Sequence, residues 1–211
     1  MDLLINILEQ AALFSLVAIG TYITYKILDF PDMTVEGSYP LGACITAVLL
    51  VKGVNPWIAI LVSILGGALG GFVTAFLHVK LKISNLMSGI LSMMALYSIN
   101  LTIMGKSNTS LININNLFKG GLPVLLIGII ILIVVKVLID LFMKTKLGFL
   151  LFAVGDNEQV VTSLGVDKGN IKILGLMAAN ALTALAGALT CQYQGYADVG
   201  MGTGVVVKGL A

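Results

Sequence analysis

Apolar residues in this chain come in long runs separated by short polar stretches, and the length of each run decides what it can be. A helix needs about 20 predominantly apolar residues to cross the core of a bilayer. Residues 3–28 supply one such run, with Asn6, Glu9 and Gln10 near its start. Residues 57–79, 86–104, 122–143 and 171–193 supply four more. The segment Tyr39–Val51 is apolar but too short to cross. Two polar connections divide the runs: the Asn-rich stretch 105–121, and 144–170, the longest hydrophilic one. The pattern predicts an all-α, polytopic membrane helix bundle with about five full spans plus a short broken or re-entrant helix. Residues 1–211 read as one transmembrane domain, with 144–170 a loop inside it.

Composition strengthens this reading. The chain is 58% hydrophobic and only 10% charged, whereas a soluble domain carries about a quarter charged residues. Lipid is the solvent that such a surface requires. A net charge of +2, with every basic residue a lysine, argues against a nucleic-acid partner. Cys44 and Cys191 lack metal-ligand spacing and read as small core residues. The N-terminal run opens with Asp2 and has no basic n-region, so it reads as a span and not a signal peptide.

Orientation follows from lysines in the short connections. Lys80 and Lys82 follow the 57–79 run; Lys144, Lys146, Lys168 and Lys172 flank the 144–170 loop. The opposite connections hold Lys52, Lys106 and Lys119. Alternation and lysine bias together predict a cytoplasmic 144–170 loop and an external 105–121 loop.

Against that frame the stretch "LDFPDMTVEGSYPLG", residues 28–42, is unusual. It holds Asp29, Asp32 and Glu36, three of ten acidic residues, and two of the four prolines. A helix from Pro40 to Val51, capped by Ser38, would rise only about 18 Å. The acidic stretch would then lie at membrane depth, where irregular backbone is tolerated only beside protein or a water-filled cavity. A short, Gly/Pro-interrupted apolar segment of this kind points to a transport site; the alternative is an ordinary solvated turn.

Small residues recur at helical spacing. "GGALGG" gives the pairs Gly66/Gly70 and Gly67/Gly71; Gly175, Ala179, Thr183 and Gly187 form a second stripe, and Ser88, Gly89, Ser92 and Ala95 a third. These predict close helix packing in lipid. Lys136 and Asp140, four apart, are expected to pair. His78 reads as an interfacial residue and not as a ligand.

No P-loop, H-E-x-x-H or G-x-S-x-G motif occurs, so the chain is expected to be no enzyme and to need no cofactor. Its energy would come from a partner, and 144–170 is where contact would be made. "GDNEQVVTSLGV" predicts a short amphipathic helix: Asp156 as cap, Glu158 and Gln159 in the first turn, Val160, Val161 and Leu164 on one face, Gly165 as the stop. Such a helix suits a groove on another protein or the membrane interface.

The run "TKLGFLLFAVGDNEQVVTSLGV", followed by "LGLMAANALTALAGAL", resembles the permease subunits of ABC importers of the branched-chain amino acid and ribose type. Thr145, Gly148, Ala153, Gly155, Asn157, Gly165 and Val166 match the family's loop pattern; its two arginines are replaced by Phe149 and Phe152, leaving Lys144 and Lys146 as the nearby basic residues. The opening "LVAIGTYITYKILDFPDMTVEGSYPLGA" is similar to the family's first helix and its broken second helix. The resemblance extends to the Gram-positive permeases associated with tryptophan or other aromatic amino acids.

The resemblance implies the pore-forming permease subunit of an ATP-driven importer, working by alternating access in the cell membrane, multi-pass and bacterial. It implies a second permease copy, cytoplasmic ATP-binding subunits and an extracellular solute-binding protein. The substrate path would be lined by Asp32, Thr34, Glu36, Gly37 and Ser38. Coupling to the ATPase would fall to Gly148, Ala153, Gly155, Asp156, Asn157, Val160, Val161, Leu164 and Gly165. The family continues through further helices, so this sequence, ending in an apolar "GMGTGVVVKGLA", is expected to be truncated. The competing reading is a secondary transporter or channel that uses Asp32 and Glu36 as ion or proton sites.

Overall fold

The structure is a computed structural model that describes residues 2–112, 114–119 and 124–210. Positions 113 and 120–121 of the predicted outer connection, and 122–123 at the start of the predicted fourth span, lie outside the described residues. So do the side chains of Asp2, Leu3 and Lys119.

Five helices are long and apolar enough to cross a membrane, and a sixth, Val35–Val51, is shorter. The first is α1, Asp2–Thr21, which continues as a π turn, Tyr22–Ile27. Then come α2 (Val35–Val51), α3 (Pro56–Val79), α4 (Asn85–Met104) and α5 (Val124–Met143). The predicted 144–170 loop holds two helices, α6 (Lys146–Asp156) and α7 (Glu158–Ser163). The last span, α8, runs from Lys168 to Gln194, and α9 from Val205 to Leu210. Three-residue strands β1 (Asn108–Ser110) and β2 (Tyr196–Asp198) pair antiparallel, with Thr109 opposite Ala197. The ladder was not anticipated; it ties the 105–112 segment to the end of α8 opposite the lysine-rich one.

Small residues decide which helix is central. Gly67 and Gly71 press α3 onto α8, where a Cβ would strike the Asn180 carbonyl (2.5 Å) or overlap the Leu176 carbonyl. Gly66 and Gly70 turn instead toward side chains of α2 and α4, namely Ile45, Ser38 and Leu96. The two overlapping glycine pairs therefore serve two different neighbours. Gly187 of α8 meets the Tyr39 carbonyl, and Gly42 of α2 meets the Ala184 carbonyl, so α2 and α8 touch backbone to backbone. Consequently α2 and α8 form the centre of the bundle, while α5 buries only Gly128 and Val135 and stands at its rim. Lys136 and Asp140 pair on α5 as expected, at 2.5 Å. The third stripe differs from expectation: Ser88, Gly89 and Ser92 face inward, continued by Leu96 and Asn100, whereas Ala95 is exposed.

A second departure concerns α2. The helix begins at Val35, five residues before Pro40, with Thr34 at its N-cap position and Ser38 inside it. Pro40 is thus an interior residue. Its missing N–H leaves the Glu36 carbonyl without its usual helical donor, and that carbonyl abuts Gly202, where a Cβ would overlap it. Beyond β2 the chain turns back along the bundle: α9 reaches α1, and Thr21 Oγ1 donates to the Gly209 carbonyl at 3.1 Å.

Candidate functional site

The acidic stretch sits where α1 gives way to α2. Asp29 takes a left-handed conformation (φ 49), which turns the chain and which Asp tolerates better than most residues. Leu28 and Phe30 are buried, and the Phe30 ring meets His78 edge-on at 5.2 Å. Asp32 is fully buried. Its Oδ1 accepts from the Thr34 N–H at 2.8 Å and its Oδ2 from Asn180 Nδ2 at 2.8 Å. Ser38 Oγ donates to Asn180 Oδ1 at 2.7 Å, and the Thr34 and Thr74 hydroxyls share a hydrogen bond of 2.7 Å. Burial of polar groups is costly unless they are paired, and here the pairing joins α2, α3 and α8. Thr74 lies five residues before the end of α3, or about 7 Å along its axis. The network therefore sits inside the bundle, below the lysine-rich end.

Glu36 and Gly37 have a different setting. They line a cavity of about 320 Å³ with Pro40, Met93, Tyr97, Asn100 and the 199–203 segment. Glu36 Oε1 accepts from the Gly204 N–H at 3.1 Å. Asn100, buried on the wall, donates from Nδ2 to the Gly37 carbonyl at 3.2 Å. The structure thus divides the five predicted path residues: Asp32, Thr34 and Ser38 belong to one hydrogen-bonded network in the protein interior, while Glu36, half-buried, and Gly37, packed against Leu96 of α4, border the cavity.

At the lysine-rich end, α6 and α7 form an elbow. Thr145 caps α6 by accepting from the Gly148 N–H at 3.3 Å. Gly148 packs on Met143, and Gly155 presses on the Ile27 carbonyl. The cap of α7 is Asn157, whose Oδ1 accepts from the Gln159 N–H at 2.9 Å; Asp156, expected in that role, is the last residue of α6. Gly165 takes a left-handed φ of +73 just past the helix, as expected of a stop. The expected apolar face splits. Val161 is 0% exposed, packed with Leu151, Val154 and Ile171, whereas Val160 and Leu164 are 48% and 65% exposed. In a helix of six residues the 100° step between Val160 and Val161 turns one inward and the other out. Val161 anchors α7 to its own chain. Ala153 is half-buried beside it, and Phe149 and Phe152 are exposed.

Charge holds the elbow to α8. Lys168 Nζ donates to Glu158 Oε2 at 2.6 Å and Lys172 Nζ to Oε1 at 2.5 Å. These two ammonium groups, Lys168 foremost, hold the Glu158 carboxyl well below its ordinary range, at about 2. Lys172 also reaches His78 Nε2 at 3.3 Å, while His78 Nδ1 lies 2.9 Å from the Ile83 carbonyl. A carbonyl only accepts, so Nδ1 carries the proton and Nε2 receives from Lys172. The lysines read from sequence as markers of sidedness thus also fasten α7.

Sequence reasoning did not assign Asn100, Asn180, Tyr97 or the 199–204 segment to the site. For the two asparagines a signal was present, since each interrupts an otherwise apolar span, where polar residues have a partner or a task.

Residues 3–211 match the protein family described as "Branched-chain amino acid transport system / permease component". The chain is 51% identical over 208 residues to a tyrosine transport system permease protein of Clostridioides difficile, covering 99% of this chain and 70% of that one. It is 36% identical over 216 residues to an uncharacterized Rickettsia prowazekii protein, covering 100% and 75%. To the ribose import permease protein of Bacillus subtilis it is 27% identical over 194 residues, covering 88% and 59%. No solved structure matches the chain.

Proposed function

The chain belongs to the family of branched-chain amino acid transport system permease components, and on that premise we propose that it forms the solute path of an ATP-driven amino acid importer. It is a multi-pass membrane protein and a transport subunit. Tyrosine is the solute named for its 51% identical relative, and an amino acid is the solute class we assign. The observation that supports a path through this chain is the central helix α2, which starts inside the bundle and sets Glu36 and Gly37 on the wall of a cavity.

In this reading the whole chain is one transmembrane unit in the bacterial cell membrane. It pairs with a second permease copy, receives solute from an extracellular binding protein at the β1–β2 end, and rests on cytoplasmic ATP-binding subunits at the lysine-rich end. Residues 144–170 are the coupling segment, with Val160 and Leu164 of the α7 region facing outward for contact. Closure of the ATPases pushes on α7, and the elbow passes that motion to the π turn and α8, against which it packs. Glu36 and Gly37 line the path; Asp32, Thr34 and Ser38 hold the backbone that presents them. Asp32 has both oxygens engaged by internal donors, which speaks against the ion-coupled alternative.

Affinity purification of the full-length protein from its native host tests the reading. We expect a stoichiometric ATP-binding subunit and ATP hydrolysis stimulated by solute-loaded binding protein. Uptake that follows an ion gradient and persists when ATP is depleted would overturn it.

A further inference from the structure

The cavity between α2, α4 and the 199–203 segment has a one-sided chemistry. Among the described residues its charged wall residue is Glu36, and neither lysine nor histidine lines it. None of the ion pairs among the described residues involves Glu36. Facing the same space is Asn100, fully buried, whose Oδ1 has no hydrogen-bond partner. The orientation of that amide is fixed: the Gly37 carbonyl can only accept, so the nitrogen must face it and the oxygen must turn away. A buried amide oxygen left without a donor is uncommon enough to require an explanation. The Glu36 carboxylate, of which Oε1 already accepts from the Gly204 N–H, and the unpartnered oxygen of Asn100 leave spare acceptor capacity beside this cavity. Around them stand Met93, Met94, Pro40 and Tyr97, an apolar and aromatic surround.

We propose that this cavity recognises the protonated amine of the solute, with Glu36 and Asn100 accepting its N–H bonds and Met93 and Tyr97 flanking its apolar body. An ammonium group brings three donors and a positive charge, which suits one carboxylate plus one amide oxygen. A tyrosine face beside it adds a favourable cation–π contribution. A solute carboxylate would meet Glu36 with like charge and find no cation among the described wall residues. The permease therefore reads the amine end of an amino acid, and the carboxylate end is left to other parts of the path. The inference rests on the importer reading above and specifies which head group the path selects.

The test uses the intact transporter, purified through this chain with its associated subunits and placed in lipid nanodiscs. Two radiolabelled probes share a phenyl body and differ in head group: 2-phenylethylamine, cationic at pH 7, and 3-phenylpropionate, anionic. We expect saturable binding of the amine and at least tenfold weaker binding of the acid. Glu36→Gln should weaken amine binding on the order of tenfold to a hundredfold, the usual loss for a hydrogen bond to a charged group. Asn100→Leu, which keeps the side chain's bulk, should weaken it as well. Equal binding of the two probes, or preference for the acid, overturns the inference without needing any variant. Amine binding unchanged in Glu36→Gln overturns the placement in this cavity. The bound ATPase is scored in the same preparations. A complex that assembles with its ATPase yet ignores the head group refutes the ammonium site and leaves the importer reading standing.

Discussion

Asn180 and Asp32, 148 residues apart, are joined by an N–H···O hydrogen bond of 2.8 Å inside the bundle. Asn180 Oδ1 in turn accepts from Ser38, so one amide on α8 ties down both the turn before α2 and its first helical turns. Asp32 also accepts from the Thr34 N–H. Asp32→Asn supplies only one acceptor oxygen for these two donors, and the other donor would then face an NH2 group. A buried donor left without an acceptor costs about 1–3 kcal/mol. Thermal unfolding of the purified protein should show that loss for Asp32→Asn, and little change for Glu36→Gln, whose side chain faces the cavity. Wild-type stability in Asp32→Asn would show that the network does not hold the turn.

Neighbouring glycines on α3 should respond unequally. At Gly67 an added Cβ meets the Asn180 carbonyl oxygen at 2.5 Å, a backbone atom of the central helix. At Gly66 the nearest obstacle is Ile45 Cδ1, the end of a flexible side chain. Gly67→Ala should cost on the order of 1–3 kcal/mol by overpacking, and Gly66→Ala distinctly less. Thermal midpoints of the two variants decide it, and equal loss would mean that both faces are equally tight.

The spans were legible because length and apolarity alone specify them in lipid, and the glycine pairs because close backbone approach admits little else. The start of α2 was misread because Pro40 looked like a first-turn proline. In the structure it lies inside the helix, beside a glycine that leaves the freed Glu36 carbonyl room. Helix α6 was hidden in a connection read as hydrophilic, since eleven residues of mixed character carry no spanning signal. The cavity was half legible: Glu36 stood out as a charge in an apolar run, but its companion Asn100 lies on another helix. Only the fold brings Asn100 to Gly37, as only the fold brings Asn180 to Asp32.

The Glu158 ion pairs give a pH dependence with a definite sign. The carboxyl sits at about 2 in the folded protein, below its ordinary 4.5, because Lys168 and Lys172 favour the charged form. A depressed folded value means the stabilisation is fully present above about pH 4.5 and fades as pH falls toward 2. Glu158 is 40% exposed at its side chain, so solvent screening keeps the effect small. Acid unfolding monitored by protease sensitivity of the α6–α7 elbow should begin at higher pH in Glu158→Gln than in the wild type. Coincident acid transitions would remove these pairs from the account of how α7 is held.

Sidedness can be read by labelling. In a background lacking Cys44 and Cys191, both buried, cysteines at 82 and 146 should resist a membrane-impermeant thiol reagent in intact cells, while one at 110 should react. Reaction at 146 from outside would invert the orientation, and with it the assignment of the elbow to the ATPase side.

The split of the α7 face separates folding from coupling. Val161 is buried among Leu151, Val154 and Ile171, so Val161→Ala should cost on the order of 1–3 kcal/mol of stability through the cavity it leaves. Leu164 and Val160 contribute little to the chain's own core, being 65% and 48% exposed. If they seat in a groove of an ATP-binding subunit, they become interface anchors there, and truncating an anchor typically costs about 2 kcal/mol of binding. Leu164→Ala combined with Val160→Ala should therefore leave the thermal midpoint nearly unchanged while ATPase co-purification and solute-stimulated hydrolysis fall together. Val161→Ala should lower the midpoint first and lose the ATPase only as the fold loosens. A fully coupled, ATPase-bound complex carrying the double substitution would mean that α7 does not dock through this face.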